Sequence, residues 1–109
     1  MNLEIYECLK KIARQGKVVT YSDIALVAGK VGADISNLVA DLEVIAEFEV
    51  EAGRPLLVIV VVKNDTKIPG KGLFAWAAKK GLHTDTDDMR FFANELNRVH
   101  KYWRAAGNA

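Results

Sequence analysis

The chain has little of what holds a small protein together by covalent or metal chemistry. Its 109 residues include one cysteine, two histidines and two prolines, and the formal net charge is only +1. Cys8 alone can close no internal disulfide; beside Ile5, Leu9 and Ile12 it reads as part of an apolar helix face in a reduced, cytoplasmic setting. The longest apolar run, Pro55 to Val62, falls far short of the ~20 residues that cross a bilayer as a helix, so no membrane partner is expected. The first residues mix acid into their apolar positions and show no basic leader or cleavage site, so secretion is not expected either. A charge near zero does not imply general stickiness for polyanions.

Chemistry-bearing sets are equally scarce. His83, Asp85, Asp87 and Asp88 alternate in a loop and are explained as acids that cap a helix, which leaves no metal site. Cys8 with His83 or His100 has no nucleophile elbow and no orienting group. "GKG" at 70–72 lacks the spacing and the Ser or Thr of a phosphate-binding P-loop. No enzyme activity, cofactor or small-molecule substrate is expected.

What is present is the pattern of one ordinary domain spanning residues 1–109. Half the residues are apolar and 27% are charged, the globular norm. Helical spacing of Leu3, Ile5, Tyr6, Leu9, Ile12 and Ala13 gives an amphipathic helix stopped by Gly16, and "KVV" at 17–19 suits a short strand. Thr20 caps a two-turn helix that ends at Gly29. After the turn "GKVGA", Asp34 caps a third helix over about 35–51 with a buried stripe of Ile35, Leu38, Val39, Leu42, Ile45, Ala46 and Phe48. Helix, turn and helix over about 20–51 form a helix-turn-helix. "LLVIVVVK" reads as a strand covered on both faces, returning through "NDT" as a β-hairpin over about 56–69. "LFAWAAKKG" is a short helix closed by Gly81. A final helix over about 86–104 carries Met89, Phe92, Leu96, Val99 and Trp103 at helical spacing. The fold class is therefore α+β: winged helix-turn-helix-like, with a three-helix core, a hairpin wing and a C-terminal helix.

On the residues Val18, Thr20, Tyr21, Ile24 and Ala25, which follow a pattern V-x-T-Y-G-x-I-A with Ser22 at the glycine, the segment 17–82 resembles the winged-helix part of the alkyltransferase-like DNA-repair proteins. "PLLVIVVVKNDTKIPGKGL" is similar to that family's passage through a short strand to a P-G turn. The resemblance implies a DNA-binding fold and a DNA-backbone contact at Tyr21. It does not carry over alkyl transfer, because the family's P-C-H-R stands here as Pro55, Leu56, Leu57 and Val58. Nor does the duplex-inserting arginine carry over, since the recognition helix opens Ile35, Ser36, Asn37, Leu38. "GRPLLVIVVVKNDTKIPGKGLF" with "ELNRVHKYW" is also similar to a group of small uncharacterised bacterial and phage-associated proteins, a likeness that implies no activity.

Charge is divided along the chain. Residues 1–53 hold five basic and nine acidic side chains, and residues 54–109 hold ten and five. The halves either pair within one domain or face two partners. On the basic side, Arg54, Lys63, Lys67 and Lys71, with Lys79 and Lys80, gather around the expected wing, either as a phosphate-facing surface or as protection of a hairpin edge. Ser36 and Asn37 stand where helix-turn-helix proteins touch base edges, although Asp34 and Asp41 flank them. Tyr21, Ser36, Asn37, Arg54, Lys63, Lys67 and Lys71 are thus the candidate DNA-binding residues. The expected function is a non-enzymatic DNA-binding or regulatory protein, of mobile-element type. The alternative is a protein-protein adaptor that ignores DNA and uses the ridge Glu43, Glu47 and Glu51. A face with Phe91, Arg98 and Tyr102 would then meet a protein partner or a second copy in a homodimer.

Overall fold

Asn2 starts the first element: its Oδ1 accepts the Ile5 amide at 3.1 Å, and α1 runs Leu3–Arg14 with Ile5, Tyr6, Leu9 and Ala13 buried. Gly16 ends it at φ +69°, a backbone region that disfavours any Cβ. A Cβ there would also meet the guanidinium of Arg104 on the last helix, 1.9 Å from Nη2, and this side chain would have to move aside. The computed structural model describes residues 1–27, 35–84 and 86–107, without the side chains of 35–37 and 107. The expected "GKVGA" turn and the Asp34 cap lie outside the described residues. Among these residues the elements are α1, β1 (Val19–Thr20), α2 (Tyr21–Val27), α3 (Ile35–Glu51), a 3-10 helix (Leu57–Val60), β2 (Val61–Val62), α4 (Lys71–Lys79) and α5 (Asp88–Gly107). The architecture is α+β, and its radius of gyration of 13.0 Å is that of a packed domain of this length.

The wing hairpin expected over about 56–69 is not what forms. Leu57–Val60 coil into the 3-10 helix, and β2 then pairs in parallel with β1, Val19 opposite Val61 and Thr20 opposite Val62. The physical reason is visible in the run itself. Leu56 through Val62 are all at most 3% exposed, so no face of this segment is left for water. An antiparallel hairpin with a wet side would alternate apolar and polar residues, whereas a run covered all round suits a parallel, interior position. α1, α3 and α5 pack around the Leu57–Val60 segment, which makes it the centre of the core. Each of its side chains stabilises the fold by roughly 1.5–3 kcal/mol through burial.

α3 departs from its expected stripe in register. Leu38, Leu42, Ile45 and Ala46 are buried as expected, but Val39 and Phe48 are each 42% exposed, and Glu49 takes the inner position at 0%. The chain reversal after α3 explains this. Gly53, at φ +75°, turns the backbone so that Arg54 returns over the helix end, and its Nε and Nη2 donate to the two Glu49 oxygens at 2.9 and 3.0 Å. Tyr6 Oη donates to the same carboxylate at 2.6 Å. A buried carboxylate is tolerable only when paired and hydrogen-bonded in this way. Burial, and then the hydrogen bond to Glu49, push the Tyr6 hydroxyl up to about 12.

α5 opens on Asp87, whose Oδ1 accepts the Met89 and Arg90 amides, so this first turn stands in water and Met89 is 50% exposed rather than part of the apolar stripe. Further along, Val99 and Trp103 are buried with Glu95, whose carboxylate is held by Arg98 at 2.6 Å. His100 Nε2 donates to the Lys17 carbonyl at 2.9 Å, and together with Arg104 against Gly16 it fastens α5 to the end of α1.

Candidate nucleic-acid interface

On leaving β2 the chain makes a small closed turn. The Lys63 amide donates to Ile68 O at 2.9 Å, the Lys67 amide to Lys63 O at 3.1 Å, and Asp65 Oδ1 accepts the Thr66 amide at 2.8 Å. Pro69 and Gly70 then lead into α4, whose first residue is Lys71. Lys63, Lys67 and Lys71 are all exposed.

Two of these lysines stand where local physics disfavours them. Lys67 has φ +59°, the left-handed region, where a residue bearing a Cβ costs about 1–2 kcal/mol relative to the ordinary helical region. Lys71 lies at the positive end of the α4 dipole, and that first turn carries no acid to offset it. Reversed charge there costs roughly 0.3–1 kcal/mol.

The turn is tied to the start of α2. Asn64 Nδ2 donates to Ser22 Oγ at 2.6 Å, and the Gly70 amide hydrogen-bonds the Tyr21 hydroxyl. Burial raises the Tyr21 hydroxyl above its usual range and the Gly70 amide pulls it back in part. Tyr21 has its place in α2 because Thr20 caps that helix, its Oγ1 accepting the Asp23 amide at 3.2 Å. Tyr21, Lys63, Lys67 and Lys71, separated by up to fifty positions in sequence, are thereby gathered around one turn.

The remaining candidates are placed differently. Arg54 belongs to the Glu49 ion pair, with its side chain 24% exposed. Ser36 and Asn37 fall in the first turn of α3, and their side chains lie outside the described residues. Of the acidic ridge, Glu47 pairs with Lys80 at 2.6 Å, while Glu43 and Glu51 are exposed. Phe91 is half-buried, stacked on His83 at 4.4 Å and edge-on to Phe74, so it is core rather than free surface. Arg98 covers Glu95, and Tyr102, 39% exposed, packs edge-on to Trp103. Ser22 and Gly70 enter the sequence reading only as a motif position and a turn glycine, and Asn64 and Glu49 are not among its candidate residues. The turn chemistry of "NDT" and "PG" marked their neighbourhood, but nothing local encodes contacts that cross the chain.

Beside the turn lies a cavity of about 210 Å³ between α3 and α4. Buried Leu42, Ala46 and Val58 line it together with half-buried Leu73 and Trp76. Tyr21, Gly70, Gly72 and the exposed Val39 and Glu43 complete the lining. Among the described residues no group of three or more His, Cys, Asp or Glu could hold a metal ion, and no helix is long and apolar enough to cross a membrane. No family model, curated protein or solved structure matches the chain.

Proposed function

We propose that the chain is a non-enzymatic DNA-binding protein of winged-helix type. In this reading α2 and α3 form a helix-turn-helix, and the 63–71 turn with Tyr21 holds the phosphate backbone. The observation that carries the reading is the placement of the lysines. Lys67 occupies a left-handed position that glycine would fill at less cost, and Lys71 a helix end that an acid would suit. Positions that lose stability by carrying a cation are best explained by a charge needed for something outside the fold. Three exposed lysines on the turn that packs against Tyr21 and leads into the α4 N-terminus match the polyanionic backbone of a duplex. The short turn takes the part of the wing, without the antiparallel strands of a hairpin.

The test is titration of a labelled duplex at several salt concentrations. Binding should weaken with salt, the slope in log–log form falling by about 0.9 for each of Lys63, Lys67 and Lys71 changed to Gln. Changing all three to Glu should weaken binding at low salt at least about ten-fold, while Lys11→Glu on α1 with Lys101→Glu on α5 leaves it nearly unchanged. Binding indifferent to salt or to the triple change would overturn the reading.

A further inference from the structure

Among the described residues two carboxylates are buried, and they are not equally completed. Glu49 accepts three hydrogen bonds, from Tyr6 and Arg54. Glu95, 4% exposed, accepts one among the described residues, Arg98 Nη1 donating to Oε1 at 2.6 Å. A carboxylate has room for about four donors, and a buried one left short of them loses stability. Arg98 already offsets the charge of Glu95, so what this group lacks is hydrogen-bond donors rather than a second cation.

Glu95 lines a recess of about 250 Å³ where the chain passes from α4 into α5, together with Leu82, Thr84, Phe91, Asn94 and Arg98. It shares no residue with the cavity between α3 and α4. We propose that this recess binds an unpaired guanine base, whose N1–H and N2–H donate to the Glu95 carboxylate. This goes beyond the DNA-binding reading and does not rest on it.

The lining suits a flat, polar heterocycle. Phe91 is held by His83, stacked at 4.4 Å, and by Phe74, edge-on at 6.3 Å, so it gives the recess fixed aromatic surface beside Leu82. Asn94 and Thr84 are exposed and bring an amide and a hydroxyl, which donate to an acceptor such as the guanine O6. The volume falls just under the roughly 300–1,000 Å³ of drug-sized sites, which fits one ring system with its sugar outside. Among the common bases guanine alone sets two N–H donors side by side on its pairing edge. Adenine and cytosine set a ring acceptor beside their amino group, and uracil and thymine flank their single N–H with carbonyls. Each of these turns a lone pair toward the carboxylate, where an unmatched acceptor costs affinity. A free guanine nucleotide and a single strand present the same edge, whereas a paired duplex conceals it.

The proposal is tested by NMR on the labelled full chain with guanosine, inosine and adenosine. Guanosine should move the Asn94 side-chain amide, the Arg98 Nε–H and the Leu82 methyl resonances, with the Trp76 and Trp103 indoles as unmoved controls. It should bind about ten-fold more tightly than inosine, which lacks only the 2-amino group, and adenosine should bind no better than inosine. Glu95→Gln should shrink the preference for guanosine over inosine to about two-fold or less. If that change disturbs the core resonances, Asn94→Ala at its exposed position decides, with guanosine expected to bind about three-fold more weakly. Comparison of guanosine 5′-monophosphate with a thymidine strand carrying one guanine then assigns the source, the tighter binder being the natural form. Guanosine carries no phosphate, so its outcome is independent of the duplex titration. Absence of shifts, inosine or adenosine binding as tightly as guanosine, or full affinity in Asn94→Ala would each overturn the proposal.

Discussion

The molecule uses a tyrosine, a glutamate and a basic residue twice, to opposite ends. At the closed side Tyr6, Glu49 and Arg54 satisfy one another, the carboxylate fully buried and accepting three hydrogen bonds. At the open side Tyr21, Glu43 and Lys71 surround the cavity and the turn, and neither Glu43 nor Lys71 has an ion-pair partner among the described residues. The difference teaches where to look for function. The first set is consumed by stability, because an anion can be buried only if its neighbours complete it. The second is left with unspent valence at the surface, in contact with solvent and beside an apolar recess.

The contrast can be broken at several points. The largest effect belongs to the centre of the core: Leu57→Ala should destabilise by about 2–5 kcal/mol in urea unfolding, because Leu57 is wholly buried and packed from three helices. Glu49→Ala comes next, at roughly 2–4 kcal/mol. This is below the 3–5 typical of a fully buried pair, since Arg54 still reaches water. Lys67→Gly should act in the reverse direction on the open side, stabilising by up to about 1–2 kcal/mol while removing one unit of charge from the proposed DNA contact. A loss of stability there would show that the lysine serves the fold, and the comparison of the two sides would fail. The smallest effect is that of Asn64→Ala, about 0.5–1.5 kcal/mol for an exposed hydrogen bond, with weaker DNA binding as the turn loosens from α2.

Alkaline pH separates the two tyrosines. Tyr6 has a folded-state pKa raised from 10.0 to about 12, so its contribution is fully present below pH 10 and is lost as the pH rises through about 12. Unfolding free energy measured across this window should fall, and Tyr6→Phe should flatten that fall. Tyr21→Phe should leave more of it in place, because burial alone raises the Tyr21 hydroxyl and the Gly70 amide opposes it, with no carboxylate hydrogen bond added.

Most of the helical skeleton was legible in the sequence, for reasons tied to particular residues. α1 ends as Gly16 predicts, α2 begins at the Thr20 cap, and Gly53 and Gly81 close their helices at positive φ. The full burial of the run from Leu56 to Val62 follows from its missing polar alternation, as expected. The antiparallel return does not form: the turn chemistry of "NDT" gives a closed turn, while β2 finds its partner in parallel with β1, far back in the sequence. The buried Glu49 was hidden for another reason: spacing shows which residues share a helix face, but not that Arg54 and Tyr6 will arrive to neutralise an acid upon it. Of the candidate site, the lysines were legible as composition. Their convergence with Tyr21 was not, since it depends on the bond from Asn64 to Ser22 across the domain.

The two-residue ladder between β1 and β2 also governs the order of assembly. A hairpin could have closed within its own few residues, but this pairing encloses the whole of α2 and α3. Its loop-closure entropy is met only once those helices have condensed on the core. This sheet should therefore close late in folding, with protection of the Val61 and Val62 amides in pulsed hydrogen exchange expected to mark completion of the domain.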